Sequence, residues 1–182
     1  CLVGPQGEFR LLPYFPPFFS LVLSFLGWIG INLVTAAHWL NMLLFGGLIA
    51  VIGWSAMRVT RSWVLSLLLM FLLLASPVLV PIYSWAMSEP LCFFLGFAGL
   101  VLLFDAIRMD KPGLAFYSSA VLTGLSFLTR YSAAAFIAAA VLAWLVLSSR
   151  PWWVRIWDIV RYGVAAGLPM AIWIIYDVLQ TT

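Results

Sequence analysis

The chain has 182 residues, of which 65% are hydrophobic, 16% aromatic and 8% charged, where an average soluble domain carries roughly 25% charged residues. A single small core cannot bury that much apolar surface, so the composition excludes a soluble domain and requires a membrane protein. The net charge of +3 comes from basic residues set mostly between apolar runs, which is a topology signal and excludes a nucleic-acid-binding face.

Read in chain order, the sequence opens without Met and without a basic segment leading into a short apolar stretch and a small-residue cleavage site. Nothing in it reads as a signal peptide, and the chain is expected to be a fragment of a longer protein. Cys1 and Cys92 have neither metal-site nor disulfide spacing. Residues 1 to 34 read as the end of an extracytoplasmic loop. Within it, Phe18 to Trp28 is too short to span, with Pro13, Pro16 and Pro17 in front and Gly27 and Gly30 behind. A re-entrant or interfacial helix is expected there. A spanning alternative remains open to the charge rule, because it would only move Arg10 to the other side.

Residues 35 to 182 then read as one all-α transmembrane bundle, with apolar runs at 35 to 57, 63 to 80, 90 to 104, 113 to 128, 132 to 147 and 163 to 179. At ~1.5 Å per residue the first covers ~34 Å, enough for a ~30 Å hydrocarbon layer. Six spans are expected. If they alternate, Arg58, Arg61, Arg108, Lys111, Arg150, Arg155 and Arg161 share one face and only Arg10 and Arg130 lie on the other. The basic face is therefore expected to be cytoplasmic. Between 151 and 162, Trp153, Ile156, Trp157 and Val160 recur at helical spacing, opposite Arg155, Asp158 and Arg161. That pattern predicts a helix lying in the interface as an anchor.

Two breaks on the outer side carry the polar residues of interest. "MSEP" reads as a helix start: Ser88 as N-cap, Glu89 in the first turn and Pro90 where a missing N–H costs nothing. The same carboxylate is also a functional candidate, since ionisable groups at membrane depth tend to act. "LTRY" lies between two runs of 16 residues, each ~24 Å, so a hairpin turn sunk below the outer surface is expected at Arg130 and Tyr131. An arginine held there either snorkels to lipid phosphates or grips the phosphate of a lipid-linked substrate. His38 and Asn41 are three apart and share a helix face, where interhelical hydrogen bonding is the ordinary role. No Walker loop, GxSxG or HExxH occurs.

In this order, "PYFPPFFSLVLSFLGW", "AAHWLNMLLFGGLIAV", "MSEPLCFFLGFAGLVLLFDA" and "LAFYSSAVLTGLSFLTRYSAAAFIAAAVLAWLV" resemble the transmembrane half of the GT-C glycosyltransferases. The branch they are most similar to includes protein O-mannosyltransferases and aminoarabinose transferases. The resemblance covers nearly the whole chain, and "SEPL" and "LTRY" are its most specific parts. It implies transfer of a sugar from a polyprenyl-phosphate carrier to a glycan, lipid or protein acceptor, on the extracytoplasmic side of a multi-pass plasma or inner membrane protein. It further implies that Glu89 orients substrate or helps hold a divalent metal ion, that Arg130, with Tyr131 and Ser88 beside it, faces the carrier phosphate, and that Asn41 belongs to the substrate site. His38 stands where the family usually has arginine. The family's main catalytic base would lie upstream of Cys1. The rival from another class is a transporter or lipid-handling protein in which Glu89 and Arg130 bind an anionic solute.

Overall fold

A computed structural model describes residues 2–3, 9–10 and 16–181. The readings of Cys1 and Pro13 fall outside these. The described chain is helical apart from a two-residue antiparallel pairing of β1 (Leu2–Val3) with β2 (Phe9–Arg10). The helices are α1 (Phe18–Trp28), α2 (Leu33–Thr60), α3 (Trp63–Leu74), α4 (Leu79–Ser84), α5 (Glu89–Met109), α6 (Leu114–Thr129), α7 (Ala134–Leu147) and α8 (Trp152–Thr181).

Three of them are long and apolar enough to cross a membrane: Leu33–Thr60, Glu89–Met109 and Trp152–Leu179. Four shorter apolar helices accompany them. The run at 63 to 80 is not one helix. Pro77 lacks an N–H and pushes Ser76 out of the helical region, so α3 stops at Leu74 and α4 restarts at Leu79, where the Ser76 hydroxyl accepts from the Leu79 N–H at 3.3 Å. The segment 151 to 162 is likewise not a separate interfacial helix, because it continues into α8 through Pro169. Its tryptophans Trp153 and Trp157 are exposed, as an anchor requires, but Asp158 is fully buried. Arg155 turns back to donate to the carbonyls of Leu145 and Arg150. Arg155 and Asp158 therefore dock this face on the end of α7 and the turn after it, while Arg161 on the same face stays exposed.

The bundle is built around α6. Phe116, Ser119, Ala120, Thr123, Gly124 and Ser126 are all buried, and the helix packs against α5 and α8. Small residues let backbones approach closely where lipid supplies no hydrophobic drive between helices. Gly124 is the tightest place: a Cβ there would stand 2.4 Å from the Ala166 carbonyl oxygen. The Tyr162 hydroxyl meets Ser119 at 2.9 Å and Thr123 at 3.0 Å, and Ser126 donates to the Cys92 carbonyl at 2.8 Å. Buried interhelical hydrogen bonds of this kind average ~0.6 kcal/mol in a membrane protein, so they fix register more than they add stability. One apolar core joins α5 to α8 around Leu103, Phe116, Trp144 and Tyr162. A second joins α2, α4 and α5 around Leu44, Leu48, Tyr83, Leu91 and Leu95, with Phe18 and Phe19 of α1 laid on it.

The turns sort to two ends. At one, the left-handed cap Asp110 accepts from the Ser148 hydroxyl at 2.9 Å, and Arg58 at the end of α2 pairs with Asp105 near the end of α5. At the other, Asn41 in the N-terminal half of α2 holds the loop before α5.

Candidate functional site: an arginine–carboxylate pair at a polar cleft

The second end brings together residues distant in sequence. Glu89 is the first residue of α5 and Arg130 the residue after α6. At Arg130 the chain turns to extended backbone (φ −153°, ψ 139°), and the 3-10 turn Tyr131–Ala133 leads into α7, the hairpin expected at "LTRY". α6 packs along α5, so the ends of the two helices meet. Arg130 Nη1 donates to Glu89 Oε1 in a salt bridge, and the Ser88 hydroxyl lies 3.5 Å from the same nitrogen.

Ser88 is not a side-chain cap: its hydroxyl makes no capping hydrogen bond to α5 and turns to Arg130 instead. Glu89 does occupy the first turn of the helix, where the macrodipole favours an anion. Its second oxygen, Oε2, is buried without a hydrogen-bond partner among the described residues.

A cleft of about 380 Å³ opens on this pair. Pro16, Phe19 and Ser20, from the start of α1 and the turn before it, wall one side. Ala86, Met87, Ser88, Glu89, Thr129 and Arg130 wall the other. A cation, a carboxylate and three hydroxyl residues thus face one space rimmed by apolar side chains. That arrangement suits an anion carried on a lipid, because the guanidinium is a planar fork matched to phosphate or carboxylate.

Of the residues expected here from the sequence, Ser88, Glu89 and Arg130 line the cleft, whereas Asn41, His38 and Tyr131 do not. Asn41 is fully buried and donates from Nδ2 to the carbonyls of Trp85 at 2.7 Å and Met87 at 3.2 Å. It holds the loop that delivers Ser88 and Glu89. His38 Nδ1 lies 2.7 Å from the Val34 carbonyl of its own helix. Tyr131 is 46% exposed, with its ring 6.3 Å from Phe127. Phe19 and Ser20 were not singled out from the sequence, and only their place beside "SEPL" and "LTRY" in space reveals them; Thr129 lies within "LTRY" but was given no role there.

Near the site, Tyr83 is buried, and its hydroxyl has no hydrogen-bond partner among the described residues. Burial pushes its phenol up to about 12, so it stays neutral at physiological pH. A divalent metal fits poorly among the described residues. No three His, Cys, Asp or Glu side chains come together, and Glu89 already has a guanidinium against it. An ion here would need ligands from outside the described residues. A comparison with family models, curated proteins and solved structures finds no match to this chain.

Proposed function

We propose that the chain is the transmembrane module of a GT-C-like glycosyltransferase that moves a sugar from a polyprenyl-phosphate carrier to an acceptor on the extracytoplasmic side of the membrane. The observation that carries this reading is the pairing of Glu89 with Arg130 at the mouth of a polar cleft. "SEPL" and "LTRY", the two motifs on which the resemblance rests, lie far apart in sequence and supply both members of the pair. In this reading α3, α6 and α7 are short spans between the three long ones, giving six, and the basic end is cytoplasmic.

The chemistry asks for the residues found there. When a hydroxyl displaces the lipid phosphate at the anomeric carbon, negative charge grows on the departing phosphate, and Arg130 compensates it. Glu89 orients the acceptor hydroxyl toward the carbon under attack. The base that takes its proton is expected outside this chain. Removing a preorganised partner of developing charge costs ~100-fold or more in rate. Arg130→Ala and Glu89→Gln are each expected to abolish sugar transfer from a lipid-linked donor while membrane insertion stays intact. Unchanged transfer in both variants would overturn the assignment.

A further inference from the structure

We infer that Glu89 is a built-in competitor for the anion this cleft takes: the phosphate of the lipid carrier, a diester while the sugar is attached and a monoester once it has left, enters by displacing the carboxylate from Arg130, and only the displaced carboxylate is available to the acceptor. The identity of the anion rests on the proposed function; the exchange itself rests on three features of the site. First, Arg130 Nη1 is held by Glu89 Oε1, with Ser88 beside it, so the cation in the cleft is neutralised before any ligand arrives. Second, an anion landing on the same guanidinium would sit within about 4–6 Å of the carboxylate, a separation at which like charges strongly disfavour one another. Carboxylate and phosphate therefore compete for one guanidinium. Third, Glu89 is poorly satisfied where it is. Oε2 is buried with no hydrogen-bond partner among the described residues, so the carboxylate gives up one salt bridge on leaving and gains solvation in the cleft.

The consequence is an order of events. Before the carrier binds, the carboxylate is engaged and the site is closed to acceptor chemistry. After it binds, the phosphate holds the guanidinium and Glu89 is released into the space lined by Ser20, Ser88 and Thr129. The carrier therefore binds before the acceptor, which keeps the acceptor hydroxyl from meeting an active carboxylate in the absence of donor.

The test is binding of a polyprenyl monophosphate to the purified protein in nanodiscs, with inorganic phosphate as a second probe and the melting temperature of each variant as a check on folding. Glu89→Gln keeps the shape of the side chain and removes its charge. It is expected to bind the lipid phosphate about 2- to 5-fold more tightly than the unaltered protein, the range a partly exposed ion pair supports. Arg130→Ala should bind at least ~10-fold more weakly, and the double variant should match Arg130→Ala, because no competitor matters once the cation is gone. Equal or weaker binding by Glu89→Gln, in a variant that melts normally, overturns the exchange. Failure of the unaltered protein and every variant to bind the lipid phosphate overturns the proposed function, and the exchange with it. If inorganic phosphate binds as tightly as the lipid, the carrier reading falls, while tightening by Glu89→Gln would still support the exchange.

Discussion

The basic end and the cleft end of the bundle use the same two residue types, arginine and a carboxylate, in different surroundings. At the basic end Arg58 Nη1 donates to Asp105 Oδ2 at 2.8 Å, while Nη2 lies 2.6 Å from Oδ1, close in charge but off the hydrogen-bond direction. Asp158 is fully buried between Arg150 at 2.6 Å and Arg161 at 3.6 Å. Those pairs tie helix to helix, α2 to α5 and the 148 to 151 turn to α8. The groove beside Arg58 is lined by apolar side chains except for Ser55 and Arg58 themselves, so it adds no polar group for a ligand. At the cleft end Glu89 and Arg130 are 26% and 39% exposed, and their charges face a cavity with hydroxyl groups around it. An ion pair that ties one helix to another beside an apolar groove is architecture. One that opens on a polar cavity can change partners.

Substitutions that break this comparison should separate stability from activity. Asp158→Ala carries the largest expected effect on folding: it removes the fully buried carboxylate that holds Arg150 and Arg161, which are themselves 26% and 56% exposed, a loss of ~2–3 kcal/mol visible as a drop in melting temperature in detergent. Arg58→Ala should lower the melting temperature by less, since it breaks one pair where Asp158→Ala breaks two, and Arg58 is already 31% exposed. Glu89→Gln should change stability by less than about 1 kcal/mol and yet abolish sugar transfer, the reverse of the basic end. Tyr83→Phe should do least, within about ±0.5 kcal/mol by denaturant titration, because the hydroxyl it removes has no partner among the described residues to lose. A destabilisation there above ~1.5 kcal/mol would mean that the hydroxyl has a bound partner such as a buried water.

Much of this was legible in the sequence, and the limits are physical. Apolar run length located α2, α5, α6 and α7, because a helix in lipid must satisfy its own backbone hydrogen bonds. The hairpin at "LTRY" followed from two runs each too short to span and too long if joined. Run length failed at 63 to 80, where Pro77 interrupts an otherwise apolar stretch that hydropathy reads as continuous. At 151 to 162 the reading rested on periodicity: the amphipathic pattern was real, but Arg155 and Asp158 meet the end of α7 and Arg150 while Arg161 stays exposed, and hydropathy cannot tell a headgroup from a neighbouring helix. Glu89 and Arg130 stood out as charges at helix breaks. Their direct contact is a tertiary fact set by the packing of α5 on α6, and no local spacing encodes it. Asn41 is the instructive case. The residues alone favoured interhelical hydrogen bonding and the resemblance implied a place in the substrate site; two loop carbonyls take its amide, so it holds the loop before α5 without lining the cleft.

The most direct test of the central claim is photo-crosslinking with a polyprenyl phosphate that carries a photoreactive group beside its phosphate, followed by peptide mapping. The account predicts label concentrated on residues 86–89 and 129–130, competed by unlabelled carrier and lost in Arg130→Ala. Label spread over the exposed faces of α3 and α8, with no enrichment at the cleft and no dependence on Arg130, would contradict it.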